Sequence, residues 1–270
     1  MMGLARWPGG RVRLVQVPGG ALPVEDVGAG DAVLMLHGWT LDRRMWRPQL
    51  ALAGGFRLVG IDRRGFGQAS APADMGAEPE DVLRVADALG LERFHLLGMS
   101  QGGKLALACA ARLGARVRSV MVAGTALDGV TAADEAVPLA AMTAAARAGD
   151  GAAVRRLWAG HALVRLAGEA GADLLAEMLA DYDGRDLASG AGRLDVRAGV
   201  MGRIAAPVLA LVGDRDTARR QANVAALEAR GAKAVVLAGA GHLANMDQPE
   251  AFNAVAADWW RTGEAGILAA

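Results

Sequence analysis

Phe94-His95-Leu96-Leu97-Gly98-Met99-Ser100-Gln101-Gly102-Gly103 is the stretch that decides how this chain folds. Residues 94–97 are an apolar, strand-like run, and residues 101–113 continue as a mostly apolar, well-propagating helix. Between them Ser100 has a glycine two residues away on each side. A chain turning sharply from strand to helix needs such flanks, because bulk there blocks the closure, and the turn pushes its apex residue outward. Ser100 therefore reads as an over-exposed nucleophile, its oxygen near the free N–H groups of a helix's first turn.

Working outward, residues 32–36, 57–61, 117–122, 207–212 and 233–237 are short apolar runs that read as buried parallel strands. Residues 79–89, 219–229 and 249–260 read as helices between or after them. Strand and helix in alternation predict a mostly parallel sheet with helices on both faces. Residues 12–17 and 22–27, separated by Pro18-Gly19-Gly20, read as an antiparallel hairpin at the sheet edge. The alternation lapses after Asp128, where helical patterns at 134–147, 152–166 and 172–182 follow one another. This predicts a core domain of residues 1–128 and 204–270 and a helical insertion of residues 129–203. Trp158, Leu163, Leu166, Leu174, Leu175, Met178 and Leu179 recur at helical spacing, most of them to hold the insertion down and a few to face a cavity.

The 270 residues carry 29 basic and 29 acidic side chains, a balance that gives no electrostatic reason to expect nucleic acid or a membrane surface as partner. The single cysteine, Cys109, excludes an internal disulfide and a cysteine-based zinc cluster within the chain, and reads as a small core residue. With no secretory signal and no apolar run of transmembrane length, a soluble cytoplasmic protein is expected. Asp181, Asp183 and Asp186 lie close together, but a solvated loop explains them more simply than a cation site. No metal or cofactor is expected. Trp259 and Trp260 fit either the core or a contact surface, and the oligomeric state stays open.

A serine hydroxyl needs a base. Of the four histidines, His242 is the best placed, in the glycine-rich loop Gly239-Ala240-Gly241-His242 after the last strand. His37 reads as shaping its own turn, His95 as a packed strand residue, and His161 as a helix residue of the insertion. The imidazole in turn needs a carboxylate on its other nitrogen. Asp216 in Gly213-Asp214-Arg215-Asp216 is favoured because it carries further over the strand tip; Asp214 and Asp128 remain open as alternatives. Acyl chemistry also needs donors for an oxyanion, expected from the backbone amides of Gln101 and of Trp39 in His37-Gly38-Trp39-Thr40. The Trp39 and Met99 side chains would then border the acyl pocket.

These residues together resemble the α/β-hydrolase superfamily over nearly the whole chain. Besides the serine turn, the resemblance rests on His37-Gly38-Trp39, Asp62-Arg63-Arg64-Gly65-Phe66-Gly67-Gln68-Ala69-Ser70, Gly213-Asp214-Arg215-Asp216 and Gly241-His242-Leu243. It implies an eight-stranded, mostly parallel sheet with a helical cap, and gives Asp216 the acid role and His242 the base role. Asp247 stands where related chains often carry glutamate, and residues 70–80 look shortened, which bears on one wall of the entrance. A serine at the turn implies acyl transfer, and the chain looks most similar to small carboxylesterases and 3-oxoadipate enol-lactonase-like hydrolases. The expected substrate is a small-molecule ester or lactone. The same resemblance leaves room for a cofactor-free perhydrolase, a C–C bond hydrolase, or a receptor-like member with little turnover.

Overall fold

A computed structural model of the chain describes residues 7–130, 136–190 and 192–263. Eight strands form one sheet among these residues, in the order β1-β2-β4-β3-β5-β6-β7-β8. β1 (Arg11–Val17) and β2 (Gly20–Val27) are the antiparallel edge hairpin, joined through Pro18 and Gly19, whose φ of +86° suits a tight turn. β3 (Asp31–Leu36), β4 (Phe56–Ile61), β5 (Phe94–Met99), β6 (Val117–Ala123), β7 (Val208–Gly213) and β8 (Lys233–Leu237) run parallel to one another. The chain steps from β3 to β4 in one direction and then places β5 on the other side of β3. A parallel sheet opens a crevice at the carboxyl ends of its strands where the winding reverses, here beside β3 and β5.

Alternating side chains divide each central strand between two faces. Leu34, Leu36, Leu96, Val122 and Ala210 join the cluster under α1 (Glu78–Ala88), α2 (Gln101–Leu113) and α7 (Ala218–Glu228). Met35, Leu97, Met99, Met121 and Leu211 join the cluster under the 3₁₀ segment Arg43–Gly54, α8 (Ala244–Asp247) and α9 (Pro249–Thr262). Cys109 is fully buried in the first cluster. Trp259 and Trp260 are buried in the second, which makes both core residues; Trp259 Nε1 donates to the Val120 carbonyl at 3.2 Å.

The segment between β6 and β7 is helical: α3 (Leu139–Arg147), α4 (Gly151–Trp158), α5 (Ala172–Asp181) and α6 (Arg185–Ala188). The expected start of the first helix at Asp134 lies outside the described residues, and α3 begins after Pro138. The single helix expected over 152–166 is broken, because Gly160 turns left-handed at φ +80° and the chain resumes as a 3₁₀ turn, Ala162–Val164. Met142, Val154, Trp158 and Tyr182 form their own cluster with Phe66 of the loop after β4, while Leu175 and Met178 join the second core cluster. Val196 and Val200, near the end of the helical segment, pack in the first cluster with the core helices.

Candidate active site

Ser100 occupies the turn between β5 and α2 with φ +53°, a left-handed value that a non-glycine residue adopts at some cost. Surrounding bonds impose it. Ser100 N–H donates to the Ala123 carbonyl at 2.8 Å, and the Ser100 carbonyl accepts from Gly103 and Lys104 at 3.1 and 3.2 Å. The flanking glycines are required by contact: a Cβ on Gly98 would sit 2.6 Å from Gly103 Cα, and one on Gly102 would meet the carbonyl oxygens of Leu36 and His37.

His242 follows β8 and is buried, its Nδ1 lying 3.1 and 3.0 Å from Asp216 Oδ1 and Oδ2. Asp216 follows β7, is itself buried, and accepts from the Thr217 amide at 2.7 Å. An ionised carboxylate only accepts, so the imidazole places its proton on Nδ1 and leaves Nε2 as the basic nitrogen. The two other candidate acids are engaged elsewhere or exposed. Asp214 is exposed, and Asp128 pairs with Lys104 at 2.5 Å and accepts from the Val196 amide at 2.8 Å. The loop carrying His242 is fixed by Asp247, whose carboxylate accepts from Gly241 N–H at 2.7 Å and from Ala167 N–H of the helical segment at 2.6 Å.

Ser100, Gln101, Trp39 and His242 line one cavity of about 170 Å³ at the carboxyl ends of the strands. Neither the Trp39 nor the Gln101 amide donates to a protein acceptor among the described residues. Met99 is not at the cavity: it is fully buried with Leu97 and Met121, because strand alternation turns it into the second core cluster. Its expected place in the acyl pocket is corrected accordingly. Lys104 and Arg220, which no motif marks in the sequence, contribute the cationic side of the wall, and Met75, equally unmarked, lines it too. A positional signal existed for the first two, since each lies four residues, one helical turn, beyond a site residue, Ser100 or Asp216. Trp158 and Leu163 are the members of the apolar helical series that reach the cavity. A larger cleft of about 440 Å³ lies between the helical segment and the loop after β4, but it holds none of these groups.

One guanidinium ties the serine turn to the β3 loop. Arg63 donates to Glu78 at 2.7 and 3.1 Å, to the His37 carbonyl at 2.9 Å, and to Gln101 Oε1 at 2.9 Å. His37 accepts from the Arg63 amide through Nε2 at 3.0 Å and holds the Gly38 carbonyl at 2.7 Å through Nδ1. Burial, with Arg63 adding to it, lowers its pKa to about 3, so it stays neutral and shapes its own turn. His95 is packed, as expected, 2.8 Å from Ser119 Oγ, and His161 stacks on Trp158 at 4.4 Å. The three clustered acids part company. Asp181 pairs with Arg44, Asp183 pairs with Arg185, and Asp186 is buried, not solvated as expected, because it accepts from two side chains. Among the described residues no group of three His, Cys, Asp or Glu could hold a metal ion, and no helix is long and apolar enough to cross a membrane.

The mostly parallel, doubly covered sheet thus carries, at its winding reversal, a serine at positive φ that shares a cavity with a histidine resting on a carboxylate. Residues 33–255 match the model of the alpha/beta hydrolase family, and the chain belongs to that family. It is 37% identical over 114 residues to 3-oxoadipate enol-lactonase 1 of Acinetobacter baylyi, a stretch covering 39% of this chain and 43% of that protein. The solved enol-lactonase from Burkholderia xenovorans LB400 superposes with a TM-score of 0.79 at 24% identity, covering 92% of this chain and 100% of that one. The carboxylesterase CesB from Bacillus subtilis gives 0.78 at 22%, covering 96% and 94%. At these identities the structural likeness speaks for the fold.

Proposed function

We propose that the chain is a serine hydrolase that cleaves a small carboxylic ester or lactone through an acyl-enzyme. One observation carries the reading: a serine held at φ +53° opens into the same cavity as a histidine whose far nitrogen rests 3.0 Å from a buried carboxylate. In this reading His242 Nε2 takes the Ser100 proton as Oγ attacks the carbonyl carbon, and Asp216 stabilises the imidazolium that forms. The Trp39 and Gln101 amides receive the oxyanion, and the leaving alkoxide takes the proton back from His242. Water then enters by the same route and releases the acid. A lactone differs only in that its leaving group stays tethered to the acyl chain. Residues 129–203 serve as the cap, with Trp158 and Leu163 roofing the acyl pocket.

The test is turnover of 4-nitrophenyl acetate by wild type and Ser100→Ala. The variant is expected to lose at least about 10³-fold in kcat, as removal of a nucleophile does. Undiminished turnover by the variant would contradict the reading.

A further inference from the structure

The two residues after Gly38 are each gripped by a side chain from the helical segment. Trp39 Nε1 donates to Asp186 Oδ2 at 2.7 Å, and Tyr182 donates its hydroxyl to the other oxygen of the same carboxylate at 2.8 Å. Trp158 Nε1 donates to Thr40 Oγ1 at 2.9 Å, and the two indoles meet edge to face at 4.8 Å. Asp186 and Thr40 are 6% and 2% exposed, so water does not readily replace these bonds once broken. Thr40 sits at φ +65°; it and Ser100 are the non-glycine residues at positive φ among those described. A β-branched residue stays in that region only where its surroundings impose it, and the Trp158 bond to its hydroxyl is such a constraint. Arg185, beside Asp186, donates to the carbonyls of Gly65 and Gly67 at 3.1 and 2.7 Å, which anchors α6 on a second core loop.

The direction of the Trp39 amide depends on the peptide plane between Gly38 and Trp39, and Gly38 offers no side chain to hold that plane. On its carbonyl side that plane is held by the core, where His37 Nδ1 donates to the Gly38 carbonyl at 2.7 Å; on the far side the restraint comes through Trp39 and Thr40, whose side-chain hydrogen-bond partners both belong to the helical segment. We propose that this segment completes the oxyanion hole: with His37 holding the Gly38 carbonyl from the core side, Asp186 and Trp158 are positioning residues that keep the Trp39 amide aimed at the developing oxyanion. This rests on the acyl-transfer reading above and adds a role for the cap in that chemistry, beyond roofing the pocket. A donor assists a transition state only when it is already aligned, so slackening Trp39 and Thr40 costs rate more than substrate affinity.

Wild type, Trp158→Phe, Asp186→Leu and Asp186→Asn are compared for kcat and KM with 4-nitrophenyl acetate and for inhibition by a short-chain trifluoromethyl ketone. The ketone reads the hole directly: Ser100 Oγ adds to its carbonyl carbon, the proton passes to His242, and the carbonyl oxygen becomes an oxyanion. Trp158→Phe and Asp186→Leu are expected to lose about tenfold in kcat and in ketone affinity, with KM within about twofold for Asp186→Leu, whose side chain does not line the cavity. Asp186→Asn keeps an acceptor for Trp39 and turns its NH₂ to the Tyr182 oxygen, so it is expected to stay within about threefold of wild type. Unchanged kcat and ketone affinity in Trp158→Phe and Asp186→Leu would overturn the inference, as would an Asn variant as impaired as the Leu variant. If Asp186→Leu does not fold, Trp158→Phe, which keeps an aromatic ring against His161, decides alone. Wild-type protein that neither turns over the ester nor binds the ketone overturns the acyl-transfer reading and this inference with it; an active wild type with unaffected variants overturns the inference alone.

Discussion

A methyl group on Gly124 would lie 3.0 Å from His242 Cε1 and Nδ1 and 3.1 Å from Asp216 Oδ2, at a residue whose φ is +51°. Gly124→Ala therefore combines left-handed strain of about 1 kcal/mol with displacement of the imidazole from its carboxylate. Turnover of an aryl ester is expected to fall by about 10²-fold with only a modest drop in the thermal midpoint; unchanged kcat would show that the dyad tolerates the intrusion. His95 gives a pH prediction. Burial lowers its pKa to about 4 from 6.5, so below pH 6.5 the unfolded chain takes up a proton that the fold refuses. Its contribution to stability is therefore lost progressively as pH falls from 6.5 to 4. His95→Gln is expected to flatten the fall of the unfolding midpoint over that interval relative to wild type, and identical slopes would count against it. At this scale the meeting of Ser100 and His242 at one cavity was legible because chemistry and glycine spacing mark both, and the contact of Asp216 with His242 because a strand ends shortly before Asp216. Met99 was misplaced, since an apolar residue beside a nucleophile fits a pocket or a core equally well until the strand's facing is known.

Among the elements, the buried parallel strands were the easiest to read, because burial on both faces leaves continuous apolar runs. β8 and α2 match their expected limits, and β5 extends two residues further, through Gly98 and Met99. The 3₁₀ segment Arg43–Gly54 was not legible: Pro48 lies inside it, where a helical pattern is not expected to continue, and its Arg43 and Arg44 are charged yet buried in ion pairs. Arg63 presents the same problem, a charged loop residue whose role lies in distant partners. Removing it leaves buried Glu78 without its counter-ion, so Arg63→Leu is expected to cost about 3–5 kcal/mol in urea unfolding. A loss below about 1 kcal/mol would mean that the pair is already hydrated, as exposed pairs are. The loop bearing His242 depends in a similar way on Asp247, which joins Gly241 to Ala167.

For the whole molecule, the mostly parallel sheet with its edge hairpin and the helical segment between β6 and β7 followed from the alternation of strand and helix and from the place where it lapsed; the order of the strands, with β3 between β4 and β5, did not. Which side chains of that segment reach the cavity did not follow, because Trp158 and Leu163 share their helical spacing with residues that only pack. The cavity is about 170 Å³, and its apolar wall includes Trp39, Leu41, Trp158 and Leu163. That size suits a short acyl group, so kcat/KM across a series of 4-nitrophenyl esters is expected to peak at acyl chains of up to roughly four carbons and to fall by octanoate. A maximum at octanoate would require a pocket of another shape.

An acyl-enzyme requires a covalent bond to one oxygen, Ser100 Oγ. Wild-type protein mixed with a short-chain 4-nitrophenyl ester, quenched in acid within the first turnovers and digested, is expected to carry the acyl mass on the peptide containing Ser100, and His242→Ala protein is expected to carry almost none. Sustained ester hydrolysis with that peptide unmodified, or with the acyl group on another residue, would contradict an acyl-enzyme at Ser100.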